Sequence, residues 1–471
     1  MKDENKEPNN AATLNPLGTE KVWKLMARFG IPAIISLLVN AAYNLIDQVL
    51  IGNSIGMLGI AATNIAFPLT TIMAAVSLLL GVGGASNFNL RLGEGNKEAA
   101  DRFAGSMLGL LAISGTVIGV LALIFIKPLV FAFGATETVQ PLALSYTAIV
   151  SVGIPFGIFT TGACTLIRAD GSPRYSMLCT LVGAVFNLIV DPILLFVLHF
   201  GIRAIAWSTT IGQMMTAGIA MFYLMRRTKT VTLKKEYLLP RLSLSIKICA
   251  LGIASCTNQL AMAAVQITLN NTLRHYGALS IYGSDIPLGS VGAISKLNIM
   301  FLAITVGIAQ GCQPIHGFNY GAKKYARVKQ ALRLALLAAT AASVAVFIVF
   351  QVFPEQLMII FGENDPLYIE FATRYLRIYM LMTFVNGIQP VTASFFNSIG
   401  KAARGMWISL TRQIIFLLPL LLILPVFFGM DGVFFSGPIA DLTAAVMAAY
   451  MIVSEYKSIT VLQADSARLN D

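Results

Sequence analysis

Charge is scarce in this chain: lysine, arginine, aspartate and glutamate make up 12% of its 471 residues, against 56% hydrophobic residues. One soluble core of that length could not hide so much apolar surface, so a water-soluble globular protein is excluded and lipid must be the solvent. The five cysteines (Cys164, Cys179, Cys249, Cys256, Cys312) all fall in or beside apolar runs and none shows a metal-ligand spacing; they read as small buried hydrophobes. The central spans hold no two acids within one turn, whereas an intramembrane enzyme such as a prenyl transferase needs clustered carboxylates to hold Mg²⁺ and diphosphate. The acids occur singly and no short pore-loop repeat is found, which disfavours a channel. Residues 1–22 have no apolar h-region, so they are expected to form a disordered cytoplasmic tail, and the first span to direct insertion.

What is abundant is apolar runs of about 20 to 28 residues, long enough to cross a hydrocarbon core of about 30 Å as helices. About twelve can be counted, centred near residues 38, 72, 112, 150, 186, 213, 260, 300, 340, 378, 416 and 443. Barrel strands alternate over about ten residues, so these long, evenly apolar runs are helices. The expected fold is therefore an all-α polytopic membrane protein with twelve transmembrane helices. The net charge of +11 could suggest nucleic acid, but its placement decides otherwise: 27 of the 33 lysines and arginines fall in the even-numbered loops and the termini. Lys127, Arg203 and Arg274 are nearly all that the other side carries. The positive-inside rule then puts both termini in the cytoplasm, with no nucleic-acid partner implied.

The chain is written twice. Gly201-Ile-Arg-Ala-Ile-Ala-Trp-Ser208 is echoed by Gly429-Met-Asp-Gly-Val-Phe-Phe-Ser436, 228 residues later. Gly81 through Gly95 matches Gly307 through Gly321 at a spacing of 226, and Gly171 matches Gly400 at 229. Six spans per copy give both copies the same orientation, a parallel repeat about an axis normal to the membrane. The expected division is a tail (1–22), a first lobe (23–228, spans 1–6), a basic cytoplasmic linker (229–246), a second lobe (247–457, spans 7–12) and a cytoplasmic tail (458–471). The long, basic stretch from Arg226 to Lys247 contains Pro240 and is expected to tie the lobes without fixing their angle. Two similar halves can enclose a site and rock about it, which favours a transporter over a channel or an enzyme.

Carboxylates in mid-span are expensive in lipid and face a cavity or a partner. There are three, Asp47, Asp191 and Asp441, and the lone central cation is Lys296. Asp47 shares helical spacings with Asn40 and Asn44, and Asp191 follows Asn187 by one turn, so spans 1 and 5 each carry a polar face. No acid occupies the centre of spans 7 or 11, their counterparts, so the halves are chemically unequal. A carboxylate in a low-dielectric cavity is costly to ionise. It can exchange a proton, hold Na⁺ with converging oxygens, or attract a cationic substrate. Asp441 and Lys296 are expected either to pair with each other or to snorkel. In span 10, Glu370 stands one turn before Arg374 and is expected to pair with it.

The pattern from about Lys21 to Lys457 resembles the multidrug and toxic compound extrusion (MATE) family. The residues that carry the resemblance are Pro32 and Asn44-Leu-Ile-Asp47-Gln-Val-Leu-Ile-Gly52 in span 1, Asn187-Leu-Ile-Val-Asp191-Pro192 in span 5, and Gly311-Cys-Gln-Pro-Ile-His-Gly-Phe-Asn-Tyr-Gly321-Ala-Lys at the end of span 8. Within the family the chain is similar to the MepA-like branch of bacterial multidrug exporters. The resemblance implies two six-helix lobes forming a V around a central cavity, in a bacterial cytoplasmic membrane, working as a monomer. Lipophilic cationic drugs and dyes would be expelled in exchange for H⁺ or Na⁺, with no other cofactor and no catalytic residue. The implied first-lobe cation site is Asp47, Asn187, Asp191 and Thr209, with Tyr146 as an auxiliary position. Pro32 matches a proline about which the first helix bends. Members with a second-lobe sodium site use acids in spans 7 and 10; this chain has no mid-span acid there, which points to coupling through the first lobe. A flippase for a lipid-linked precursor, related in architecture, is the competing reading and would want cationic residues lining the cavity; Lys296 alone supports it.

Overall fold

The computed structural model describes residues 15–133, 135, 137–283, 285–359 and 366–468, which are almost wholly helical and include no strand. In chain order the helices are α1 (Pro16–Thr19), α2 (Val22–Ile55), α3 (Met57–Gly93), α4 (Lys97–Ile124), α5 (Ile126–Ala132), α6 (Gln140–Ala169), α7 (Pro173–Pro192), α8 (Ile202–Arg226), α9 (Leu242–Ala278), α10 (Asp285–Gly321), α11 (Tyr325–Val352), α12 (Pro354–Ile359), α13 (Pro366–Tyr379), α14 (Ile388–Ser398), α15 (Ala402–Leu410), α16 (Leu418–Phe428) and α17 (Met430–Arg468). Among the described residues ten helices are long and apolar enough to cross a membrane. The two further segments expected to span, near residues 213 and 378, are not among these ten: they are α8 and a broken segment in which α13 ends at Tyr379, a 3₁₀ turn occupies Thr383–Val385, and α14 resumes at Ile388.

The duplication governs local structure as well as sequence. Gly201 and Gly429 precede α8 and α17 with φ of 70° and 55°, and Gly171 and Gly400 close the turns after spans 4 and 10 with φ of 85° and 84°. Such positive φ costs glycine little, whereas a Cβ clashes there. The apolar faces collect into a first-half core around Phe88, Met107, Leu111 and Ile158. The second half has cores around Phe371, Tyr375 and Phe434 and around Phe395 and Phe396.

The halves meet backbone to backbone at the end carrying the basic loops. A Cβ on Gly93 would strike the carbonyl of Phe318, and one on Gly321 would strike the carbonyl of Leu90. These two contacts are the same contact turned over, because each member lies 228 residues from its counterpart, so the structural repeat here is offset by two residues from the spacing of 226 read in the sequence. The pairs Gly83 with Ile248 and Gly252 with Leu79 are likewise mirrored by Gly311 with Gly30 and Gly307 with Ile34. Span 1 therefore packs on span 8 as span 7 packs on span 2, and Gln313 Nε2 donates to Ser86 Oγ at 3.0 Å near the axis. Glycine at these crossings lets the helix backbones approach closely.

Two connecting segments are more closely held than their composition suggests. Of the tail, residues 1–14 lie outside the described residues, but Pro16–Thr19 is helical and Leu17 is buried. Asn319 Nδ2 and Arg327 donate to the Leu17 carbonyl, Lys324 Nζ to that of Gly18, and Arg327 to that of Glu20. The start of the chain is thus clasped to the second half. Nor is the linker a free tether. Asp170 accepts bonds from the backbone N–H groups of Lys229, Thr230 and Val231, and Asp101 from that of Thr232. Tyr237 is buried against Gly105. Composition reported the polarity of both segments, but not that buried acids and carbonyls would claim them.

Gly83→Leu or Gly252→Leu should disrupt the seam, since overpacking costs about 1–3 kcal/mol. Spin labels on the α3–α4 and α10–α11 turns should move apart in either variant when measured by electron–electron double resonance. Unchanged distances would count against glycine-dependent closure.

Candidate functional site

Four helices of the first half bring polar side chains to one place. From α2 come Tyr43 and Asp47, one turn apart; from α7 come Asn187 and Asp191, also one turn apart; α6 supplies Tyr146, and α8 supplies Ser208 and Thr209. Asp47 is 9% exposed and Asp191 1%. Ser208 Oγ donates to Asn187 Oδ1 at 3.1 Å. The hydroxyls of Tyr43 and Thr209 lie 3.4 Å apart. Gly212 supplies room for the Asn187 amide, since a Cβ there would lie 3.0 Å from its Oδ1. Asp47, Asp191, Tyr43 and Tyr146 are close enough for each tyrosine to feel both carboxylates. The apolar trio Ile51, Leu195 and Ile205 packs beside them.

In each aspartate one buried oxygen, Oδ1, has no hydrogen-bond partner. A buried polar atom without a partner is costly. Each of the two can chemically accept a proton or contact a small cation. The surrounding side chains offer mainly oxygens, two carboxylates with amide and hydroxyl groups, a set that can hold a hard cation as well as a proton. Just beyond Asp191 the helix is opened by Pro192, which lacks an N–H, and by a π-helical turn at Ile193–Val197. Such turns are frequent at functional sites.

All five residues expected at the cation site come from the helices that meet here. Pro32 sits buried within α2, which continues unbroken through it, and its carbonyl accepts a bond from Ser36 Oγ at 2.8 Å. Tyr43 and Ser208 were not foreseen, although Tyr43 stands one helical turn before Asp47. Asn40 and Asn44 are not the polar partners of Asp47: both are exposed, and Asn44 Nδ2 donates to the Asn40 carbonyl.

The second half solves the same problem differently. Asp441 is 2% exposed and is paired with Arg412 at 2.5 Å, while Asn386 Nδ2 donates to its other oxygen at 2.8 Å. Of the two readings open for Asp441 and Lys296, pairing with each other is excluded, because Arg412 takes Asp441 while Lys296 is exposed on α10. Arg412, grouped by sequence with the cytoplasmic charges, is largely buried on the π-helical turn Thr411–Leu417, so Lys296 is not the lone central cation. In the repeat Asp441 corresponds to Gln213 and Asn386 to Gly157, and Gln213 does lie against Gly157. Neither 247–278 nor 402–428, the counterparts of the helices that carry Asp47 and Asp191, contains an acid. Arg374 pairs with Asp431 at 2.8 Å, while Glu370 accepts from Tyr282.

Two pseudo-symmetric helical halves, closed on each other at one end, with unpartnered acids held in one of them, define a membrane transporter and not an enzyme. The MatE family profile matches residues 32–193 and 276–423, and the chain belongs to that family of multidrug efflux transporters. It is 24% identical over 440 residues to the multidrug export protein MepA of Staphylococcus haemolyticus, covering 93% of this chain and 95% of that one. With MepA of Staphylococcus aureus strain MRSA252 the identity is 26% over 434 residues, 92% of this chain and 93% of the relative. A multidrug resistance MATE family transporter of the MOP superfamily, solved in an outward-facing conformation, shares the fold with a TM-score of 0.87 at 21% identity, over 97% of this chain and all of that one. A MOP superfamily transporter from Pyrococcus furiosus, described as having a binding pocket of reverse polarity, does so at 0.86 and 21%, over the same shares.

Removing one member of a buried ion pair strands the other, at a cost of about 3–5 kcal/mol. Arg412→Met and Asp441→Leu should each lower the melting temperature in detergent, and the double variant should recover much of the loss. Additive losses would show that the pair is not coupled.

Proposed function

We propose that this chain exports lipophilic cationic compounds in exchange for H⁺ or Na⁺, with coupling carried by Asp47 and Asp191. The observation that supports this most directly is the pair of unpartnered, buried Oδ1 atoms in one half, beside a second half whose buried acid is already neutralised by Arg412. The basic loops put the closed end, and both termini, on the cytoplasmic side of the cell membrane. The two moving bodies are residues 23–228 and 247–457.

Charge conservation supplies the mechanism. With the halves open to the cytoplasm, deprotonated Asp47 and Asp191 favour a lipophilic cation. Once the halves rock outward, H⁺ binds a carboxylate, or Na⁺ binds among Asp47, Asn187, Asp191 and Thr209, and the drug loses its counter-charge and leaves. The drug and the ion must prefer different states, or no coupling results. Tyr146 and Tyr43 hold the rim of the site, and Pro32 is the point at which α2 bends, since its missing N–H leaves the ladder weakest there. The names of the MepA relatives, multidrug export proteins, fit this reading.

Asp47→Asn and Asp191→Asn should each cut ion-driven uptake of a fluorescent cation into inverted vesicles by about tenfold or more, without loss of folded protein. Proton and sodium gradients applied separately will identify the ion. Undiminished transport in both variants would overturn the assignment.

A further inference from the structure

At the basic-loop end of the first half lies a cavity of about 720 Å³, where the start of α2, the turn between α6 and α7, and the end of α8 meet. Arg28, Arg174, Arg227 and Lys229 line it, together with Tyr175 and Tyr223. We propose that this cavity binds the phosphate headgroup of an anionic phospholipid.

Three observations point to that ligand. First, the cavity's positive charge is not cancelled. Among the described residues no carboxylate pairs with Arg174, Arg227 or Lys229, and Arg28 has only exposed Glu20 at 3.3 Å. The nearest acid in sequence, Asp170, spends both oxygens on the Tyr223 hydroxyl, the Thr230 hydroxyl and three backbone N–H groups of the linker, at 2.7–2.9 Å. Lys229 Nζ donates to the Gly171 carbonyl at 3.0 Å, and the Arg227 guanidinium lies over Phe222. Both cations are thereby held near the cavity by groups that leave their charge intact.

Second, the first turn of α7, a helix of 20 residues, opens on the cavity through Ser172 and Pro173, and Ser172 makes no side-chain cap bond. Its positive dipole end adds to the field that the cations set up.

Third, apolar side chains stand exposed on the same helix faces, one or two turns into the membrane. Ile31 and Ile35 follow Arg28 at spacings of three and seven, and Leu178 follows Arg174 at four; they are 56%, 38% and 45% exposed. Helical periodicity puts each on the strip below its arginine. A free phosphate would have no use for this strip, whereas acyl chains would lie along it. Basic pockets at this depth bind anionic headgroups on the cytoplasmic leaflet. A lipid bound here would fasten the root of α2, which packs on the second half, to α7 and α8 of the first.

The test uses the full chain, delipidated in detergent and examined by native mass spectrometry with phosphatidylglycerol or phosphatidylcholine added. The triple variant Arg174→Gln, Arg227→Gln, Lys229→Gln should bind phosphatidylglycerol about tenfold more weakly or worse, with phosphatidylcholine unaffected. A control triple that removes exposed charges elsewhere at that end (Lys97→Gln, Arg333→Gln, Lys457→Gln) should bind like the parent chain. Equal loss in both triples would show diffuse charge attraction and overturn the site. Displacement of the lipid by millimolar inorganic phosphate or glycerol 1-phosphate would overturn the lipid assignment in favour of a soluble phosphate ligand. If the triple variant does not fold, the single Arg174→Glu variant should still lose the preference for the anionic lipid, and its retention would overturn the proposal.

Discussion

A carboxylate held inside hydrocarbon costs several kcal/mol unless it is paired or neutralised, and the two halves of this chain meet that cost in opposite ways. In the second half Arg412 and Asn386 satisfy Asp441 permanently. In the first half Asp47 and Asp191 each keep an oxygen without a partner, so that part of the cost is left unmet by the protein itself. One half thus holds a neutralised acid and the other two acids that no cationic side chain pairs among the described residues. That difference, more than the acids themselves, is what the proposed coupling site rests on.

The frame depends on a second constraint, the close approach of helix backbones. The reciprocal contacts of Gly93 with Phe318 and Gly321 with Leu90 put the symmetry axis between α3 and α10. Span 1 is shared between the bodies: its first turns lie on α10 beside Gly307 and Gly311, while Asp47 lies with α7 and α8 of its own half. Span 1 is thus anchored in both halves, and Pro32 lies within the first anchorage, between Gly30 and Ile34.

Much of this was legible in the sequence because lipid imposes a simple rule. Backbone groups must bond within the segment, so long apolar runs have to be helices. The repeat was readable because left-handed glycine turns recur at Gly171 and Gly400 and at Gly201 and Gly429. The acids at 47 and 191 stood out for their cost. Less legible was anything set by contact between distant segments. Arg412 looked like one more loop cation, since nothing in a linear reading says that a π-helical turn carries it inward to Asp441. Span 10 looked continuous, yet its helix breaks between Tyr379 and Ile388. The linker and residues 15–20 looked free because their polarity was visible and their partners, Asp170, Asp101 and Asn319, were far away in the chain.

Sequence by itself determined the membrane class, the helical spans, the duplication, and the inequality of acids between the halves, all of which follow from the free energy of placing each residue type in lipid. Only the tertiary structure decided which charges are paired, that Tyr43 and Ser208 join the acid cluster, and that the halves close at the basic-loop end. Those facts depend on side chains and backbones 20 to several hundred residues apart meeting within a few ångströms. The transfer energy of a single residue fixes its solvent, but a partner is fixed only by packing.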